Sequence, residues 1–206
     1  ATRPDIIGEK LSDQLQTLQD KVPAFSKDIA LQEIKKGLGS ENFNDFINIS
    51  EPIAAASIAQ VHKAQIKEDN ILKEVAIKVL RPDIKKVFND EIEALMLLAY
   101  IIESLIKKTK RLKLIEVVFL LKEITNHEMD LRFEAAAANE FYENTRNDVG
   151  FKIPKIYWKF TSDNVLTLDW IDAISIRELE KIKSLGINCK NLARDIIQHF
   201  LRHAVR

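Results

Sequence analysis

Glycine is almost missing from the middle of this sequence: five glycines in 206 residues leave none between Gly39 and Gly150. The gap excludes a Walker phosphate loop and a Gly-x-Gly-x-x-Gly fingerprint, both of which need glycine for close backbone approach to phosphate. A single cysteine, Cys189, excludes an internal disulfide and fits a reducing compartment. Neither sign of charge is in excess, with Lys+Arg and Asp+Glu both 31, so no global field calls for nucleic acid. The longest apolar run, Ala94 to Ile102, falls short of the roughly 20 residues that span a bilayer. Ala1 to Lys10 is polar and charged, unlike a signal peptide. What is present is a 46% hydrophobic chain, enough for one large domain or one domain with a helical extension. A soluble, intracellular protein is expected. The start without Met and the end inside a helical pattern read as a piece of a longer chain.

Periodicity divides the chain into helical and strand-like stretches. Leu11, Leu15, Leu18 and Val22 recur at helical spacing up to Pro23. Ser26 is placed to cap a second helix carrying Ile29, Leu31 and Ile34, with Gly37 as its terminator. Strand-like stretches follow at Ile47 to Ala54, Ile58 to Ile66 and Glu74 to Leu80, the last two joined by a turn at residues 67–70. In the third, Val75, Ile77 and Val79 face one way while Ala76, Lys78 and Leu80 face the other. A helix opens after Arg81-Pro82-Asp83 and runs to about Lys107. Being apolar nearly all round, it is expected to be buried, with Leu95, Leu98, Ile102 and Leu105 inside. Lys107, Lys108, Lys110, Arg111 and Lys113 form a basic connection, and Leu114 to about Arg146 reads as helix again. Two strands are expected at 156–160 and 165–171. Ser175 with Glu178 marks a capping box for a helix ended by Gly186. The last helix gathers Leu192, Ala193, Ile196, Ile197, Phe200, Leu201, Ala204 and Val205 on one stripe, which reads as core-facing, with part of it at Ile196, Phe200 and Ala204 expected to be exposed because the partners that bury it are missing.

Three features could carry chemistry. Val75-Ala76-Ile77-Lys78 puts a lysine on a strand face, where kinases hold the cation that pairs with nucleotide phosphates; an ordinary edge-strand lysine is the plainer alternative. Glu134 opens an Ala-rich helical stretch that can lie close to a sheet, and is otherwise a solvated glutamate. Between the first two strands stand Ala54, Ala55, Ala56 and Ser57, small enough for close approach but resistant to positive φ. Metal sites fare worse. His199 and His203 lie one turn apart without an evident third ligand, and His127-Glu128 begins a zincin pattern that Leu131 breaks. Cys189 beside Lys190 reads as an ordinary loop thiol.

Ala54-Ala55-Ala56-Ser57-Ile58-Ala59-Gln60-Val61-His62, Val75-Ala76-Ile77-Lys78-Val79-Leu80-Arg81-Pro82 and Glu128-Met129-Asp130-Leu131-Arg132-Phe133-Glu134-Ala135 resemble the UbiB/aarF-domain atypical kinase-like family of ubiquinone biosynthesis. The resemblance runs essentially the whole chain. It implies an α+β fold: a kinase-like N-lobe with a five-stranded antiparallel sheet and a long helix. Residues 1–45 would be a helical extension, 46–172 the lobe with helices inserted at about 83–120, and 173–206 the start of a truncated C-lobe.

By the same resemblance, Ala54 to Ser57 would be an alanine-rich nucleotide loop and Ala76 would line the cofactor site. Lys78 would pair phosphate with Glu134 as its partner, and the backbone of Asp169 and Ile171 would meet adenine. Glu128 and Asp130 match the family's Glu-x-Asp motif. The family's Lys-x-Gly-Gln element and catalytic aspartate are absent from this sequence and expected before Ala1 and after Arg206. No catalytic residue and no metal ligand is therefore assigned here.

The implied cofactor is ATP or ADP with Mg²⁺ in the longer protein, bound weakly or not at all by this chain, which is itself expected to be inactive. Implied partners are quinone-biosynthesis proteins and an isoprenoid lipid or membrane surface. The implied setting is cytoplasmic, peripheral to a bacterial inner membrane, or the mitochondrial matrix. A nucleotide-responsive scaffold without catalysis remains the alternative. No flavin, haem or oxygenase motif supports direct hydroxylation of a quinone.

Overall fold

The computed structural model describes Gly8 and residues 23–68, 71–176 and 178–204. The helix expected over Leu11 to Val22 lies outside the described residues. From Ser26 onward the chain behaves as its caps dictate. Ser26 is extended and its side chain accepts a hydrogen bond from the Ile29 amide, starting helix α1, Lys27–Phe43. Gly37 does not end this helix. The break comes at Gly39, whose φ of 77° is the left-handed region that glycine adopts without strain.

Gly37 is glycine for a different reason. A Cβ there would sit 2.0 Å from Asn164 Oδ1 and 2.8 Å from Ser162 Oγ, side chains of the turn before the last strand. Asn164 in turn donates to the Glu33 carbonyl at 3.3 Å, fastening that turn to α1. Gly37→Ala gains about 1 kcal/mol of helix propensity but must break this fastening. The expected result is a net loss of stability, read as a lower urea midpoint at unchanged m-value.

Strands β1 (Phe46–Ile47), β2 (Pro52–Ala55), β3 (Ala59–Glu68), β4 (Ile71–Leu80) and β5 (Val165–Asp169) form one antiparallel sheet. Its order is β1-β3-β4-β5, with β2 also pairing β3. A register shift between Pro52 and Ala54 leaves Ile53 exposed as a bulge. Cross-strand partners share a face, so the pairings of Lys78 with Val61 and Leu166, and of Val61 with Ala54, place all of them on one side. Val75, Ile77 and Val79 lie on the other, packed with Val165 against Ala30, Ile34 and Leu38 of α1. Both faces are covered. The fully buried Ile34 and Ile77 are each worth about 2 kcal/mol by area removed from water.

After β4 come α2 (Ile84–Leu105), a 3₁₀ turn (Lys107–Leu112) and α3 (Leu114–Glu128). The expected burial of α2 is wrong. Leu95, Leu98 and Leu105 are 42, 52 and 77% exposed. Among the described residues α2 buries only Ile92 and Ala99, and α3 buries none. The reason is geometric: a helix that is apolar all round buries only the stripe facing its neighbours, and α2 packs chiefly on α3. The helix expected over 114–146 is also two helices. Met129 ends α3, and Asp130, extended at φ −120°, caps α4 (Leu131–Thr145) by accepting from the Arg132 amide at 3.1 Å. α4 covers the Lys78 face through Leu131 and Ala135, which pack on Ala59, Leu80 and Leu166.

The strand expected at 156–160 is a single bridge, Ile156 to Leu168, followed by a 3₁₀ turn over Trp158–Phe160. Coiling at that point carries Phe160 into the core beside Phe46, ring centroids 5.0 Å apart. The capping box at Ser175 does not form as expected. Helix α5 (Leu179–Ser184) starts at Glu178, which makes no side-chain cap, and Gly186 (φ 74°) follows its end. The final helix, α6 (Cys189–Ala204), has no buried residue; Ile196 and Phe200 are 43 and 69% exposed. Its stripe faces outward at Ile196, Phe200 and Ala204, as expected for a face whose covering partners are not among these residues. The result is an α+β lobe with a five-stranded sheet, and no described helix is long and apolar enough to cross a membrane.

Candidate functional site

The centre of the site is a pair that lies 56 residues apart in sequence. Lys78 leaves the face of β4 and its Nζ meets Glu134 Oε2 at 2.6 Å. β4 fixes one partner by strand alternation. The first turn of α4 fixes the other, one turn after the Asp130 cap and directly before the fully buried Ala135. The side chains are 28 and 49% exposed, so an incoming anion can reach the lysine. Exposed pairs of this kind are worth about 0–1 kcal/mol to folding. What the pair provides is a held cation on the sheet surface.

The alanine segment is shorter as a loop than it reads in sequence. Ala54 and Ala55 belong to β2, paired with Val61 and Gln60. Only Ala56, Ser57 and Ile58 turn the chain, closed by Ala56 N–H donating to the Ala59 carbonyl at 2.8 Å. None of them has positive φ. That explains how alanine serves where related loops use glycine: this turn never enters the region that a Cβ penalises. Ala76, next to Lys78 on the strand, is 8% exposed.

Gln60 and His62 follow the turn but point away from it. Both are buried, at 1 and 0% exposure, on the face opposite Val61 and Lys78. Gln60 Oε1 accepts from the Phe25 amide at 3.0 Å, and Gln60 Nε2 donates to the Phe25 carbonyl at 3.3 Å. The remaining Nε2 proton is aimed at His62 Nε2, 2.9 Å away, so that ring nitrogen must accept and Nδ1–H donates to the Ser50 carbonyl at 2.9 Å. The network requires neutral His62, and burial pushes its pKa below the ordinary value, only partly offset by the Ser50 carbonyl.

The sign of the pH dependence follows. The unfolded chain takes up the proton near pH 6.5 while the fold resists it, so stability is complete above that pH and falls on acidification. Denaturant midpoints are expected to drop between pH 7.5 and 5.5, and the drop should shrink in His62→Gln.

Strand alternation alone separates Gln60 and His62 from Val61.

The remaining candidates are placed as follows. Asp130 is held by Arg132, whose Nη2 lies 2.5 Å from Oδ2, and this contact keeps the carboxyl below the usual range. Glu128 is exposed at the end of α3. Asp169 is engaged on several atoms. Its amide donates to the Lys155 carbonyl at 2.9 Å, and its carboxylate accepts from Tyr157 Oη at 2.7 Å. Burial, then this carboxylate, raises the Tyr157 pKa. Ile171 lies just beyond β5 and is exposed. His203 Nε2 meets Asp148 at 3.0 Å, and His199 stacks on Phe151 and His203, an aromatic cluster at the α4–α6 junction. Among the described residues no group of three or more His, Cys, Asp or Glu could hold a metal ion.

The sequence missed Arg81. Its Nη2 donates to the carbonyls of Pro23 (2.8 Å) and Ala56 (3.0 Å), and its guanidinium lies 5.6 Å from the Phe25 ring centroid. Its place at the end of the lysine strand, before a proline, was the available signal.

Comparison with known proteins agrees with this architecture. Proteins described as probable protein kinase UbiB match over the full chain: 33% identical in Vibrio parahaemolyticus, 36% in Histophilus somni and 34% in Tolumonas auensis. The chain spans 38% of the length of each. The ABC1 atypical kinase-like domain model matches residues 17–206. With that domain covering nearly every residue, and Lys78 and Glu134 joined across sheet and helix as a kinase-like lobe joins them, the chain belongs to the ABC1 atypical kinase-like family.

Proposed function

We propose that this chain is the nucleotide-facing lobe of an atypical kinase or ATPase that supports isoprenoid-quinone biosynthesis. The observation that carries the reading is the Lys78–Glu134 pair at 2.6 Å, beside a glycine-free turn of small residues. Lys78 would hold phosphate oxygens of ADP or ATP, with Glu134 fixing its rotamer. Ala54, Ala55, Ala56 and Ser57 leave room above the sheet, Ala76 lines the face beside Lys78, and the backbone at Asp169 and Ile171 would meet adenine. For Asp169 that contact falls to the carbonyl, because the N–H is committed to Lys155.

Mg²⁺ supplies phosphate charge neutralisation in kinases, but the described residues offer no group of three or more His, Cys, Asp or Glu to hold it. Glu128 and Asp130 are proposed to work, as the family's Glu-x-Asp motif, with the Lys-x-Gly-Gln element of the longer protein. The chain is proposed to bind without turnover. A fluorescent ADP analogue titrated into the 206-residue chain tests the reading: weak but saturable binding that competes with ATP is expected, and binding unchanged in Lys78→Ala would refute it.

Partners of the longer protein are proposed to be quinone-biosynthesis proteins and an isoprenoid lipid or membrane surface, at the periphery of an inner membrane. The exposed apolar residues of α2 and α3, flanking the basic 107–113 connection, support a contact surface there.

A further inference from the structure

We propose that Arg81 is the positioning residue of the alanine turn, and that the backbone at Pro23–Phe25 is the abutment against which it holds that turn. The consequence for nucleotide rests on the reading above. The positioning itself does not.

The turn has little of its own to fix it. Ala56 carries no polar side chain and Ser57 is exposed, so its position over the sheet must be set from outside. Arg81 sets it twice. Its backbone N–H donates to the Ile58 carbonyl at 2.8 Å. Its side chain donates to the Ala56 carbonyl through Nε at 3.2 Å and Nη2 at 3.0 Å. The same Nη2 donates to the Pro23 carbonyl at 2.8 Å, so one planar fork ties the turn to the segment before α1.

That segment is itself anchored. Gln60 grips both backbone groups of Phe25 from inside the sheet, and Gln60 is braced by His62, which is braced by Ser50. The run Ser50, His62, Gln60, Phe25, Arg81, Ala56 therefore passes from the buried face of the sheet to the turn beside Lys78. A lysine at position 81 does not reproduce the fork, because its single nitrogen cannot grip the Ala56 carbonyl from two rigid positions while also donating to Pro23. Whatever moves Pro23–Phe25 moves the turn, and with it the approach of a nucleoside diphosphate or triphosphate to Lys78.

The test uses the 206-residue chain with amide hydrogen exchange and a fluorescent ADP analogue. Arg81→Lys is expected to speed exchange at 54–58 and 24–27 by about three-fold or more, with other protected amides unchanged, and to weaken the analogue about five-fold. Gln60→Met, which removes the side-chain hydrogen bonds to Phe25 and His62, is expected to speed exchange at Ala56 as well; if it unfolds the chain, Phe25→Ala takes its place. Exchange at 54–58 unchanged in Arg81→Lys, or raised equally everywhere, overturns the proposal. Acceleration at 54–58 in Arg81→Lys but not in Gln60→Met or Phe25→Ala overturns the abutment. A wild-type chain that does not bind the analogue sinks the nucleotide reading alone, because exchange still decides the role of Arg81.

Discussion

Lys78→Ala is expected to weaken ADP and ATP binding by about 10- to 100-fold while leaving the unfolding midpoint nearly unchanged. Both halves follow from the geometry of one pair. A charge-assisted contact to phosphate is worth about 1.5–3 kcal/mol, and about 1.4 kcal/mol is a factor of ten in affinity. The stability contribution is far smaller, because Lys78 and Glu134 meet at 2.6 Å while partly open to water, where ion pairs contribute about 0–1 kcal/mol. Glu134→Gln sharpens the test. It keeps the shape of the side chain and removes the charge that orients Lys78, so a smaller loss, about five- to ten-fold, is expected. Titration calorimetry reads affinity and denaturant unfolding reads stability. A large drop in midpoint with unchanged affinity would show that the pair is a structural tie.

Lys78 and Glu134 were legible in the sequence because a strand lysine and a helix-start glutamate in known motifs carry their own geometry. The same is true of Ser26, whose capping chemistry is local. Features that depend on what surrounds an element were not legible. Ala94 to Ile102 is apolar on every side, and that pattern states a preference for burial without stating how much cover exists; Leu97 and Tyr100 are left mostly exposed. Gly37 reads as a helix stop from its chemistry alone, and only the approach of Asn164 and Ser162 reveals its purpose. Asp130 sits in a continuous helical pattern, yet its carboxylate captures the Arg132 amide and breaks the helix, bringing Leu131 onto the sheet. Long-range packing and side-chain anchoring decide all of these, and neither has a period.

Ala135→Leu is expected to damage stability and site together, which separates it from every substitution above. Ala135 is fully buried where α4 lies on the sheet, in contact range of the cluster formed by Ala59, Leu80 and Leu166. Its methyl group is what allows the helix axis to come so close. A leucine adds three carbons to a packed interior, and overpacking of this kind costs about 1–3 kcal/mol, mostly by shifting backbone. The shift cannot stay local. Glu134 precedes Ala135 on the same turn, and a helix lifted by even about 1 Å takes its carboxylate out of hydrogen-bond reach of Lys78, since such bonds weaken beyond about 3.2 Å. The expected outcome is a lower melting temperature together with a loss of nucleotide affinity approaching that of Glu134→Gln. Ala138→Leu is the comparison, because Ala138 lies one turn further along α4 and is only partly buried against the same cluster. It should cost less stability and leave affinity nearly intact. Equal effects from both substitutions would mean that α4 tolerates displacement as a whole, and that the close approach at Ala135 does not set the position of Glu134.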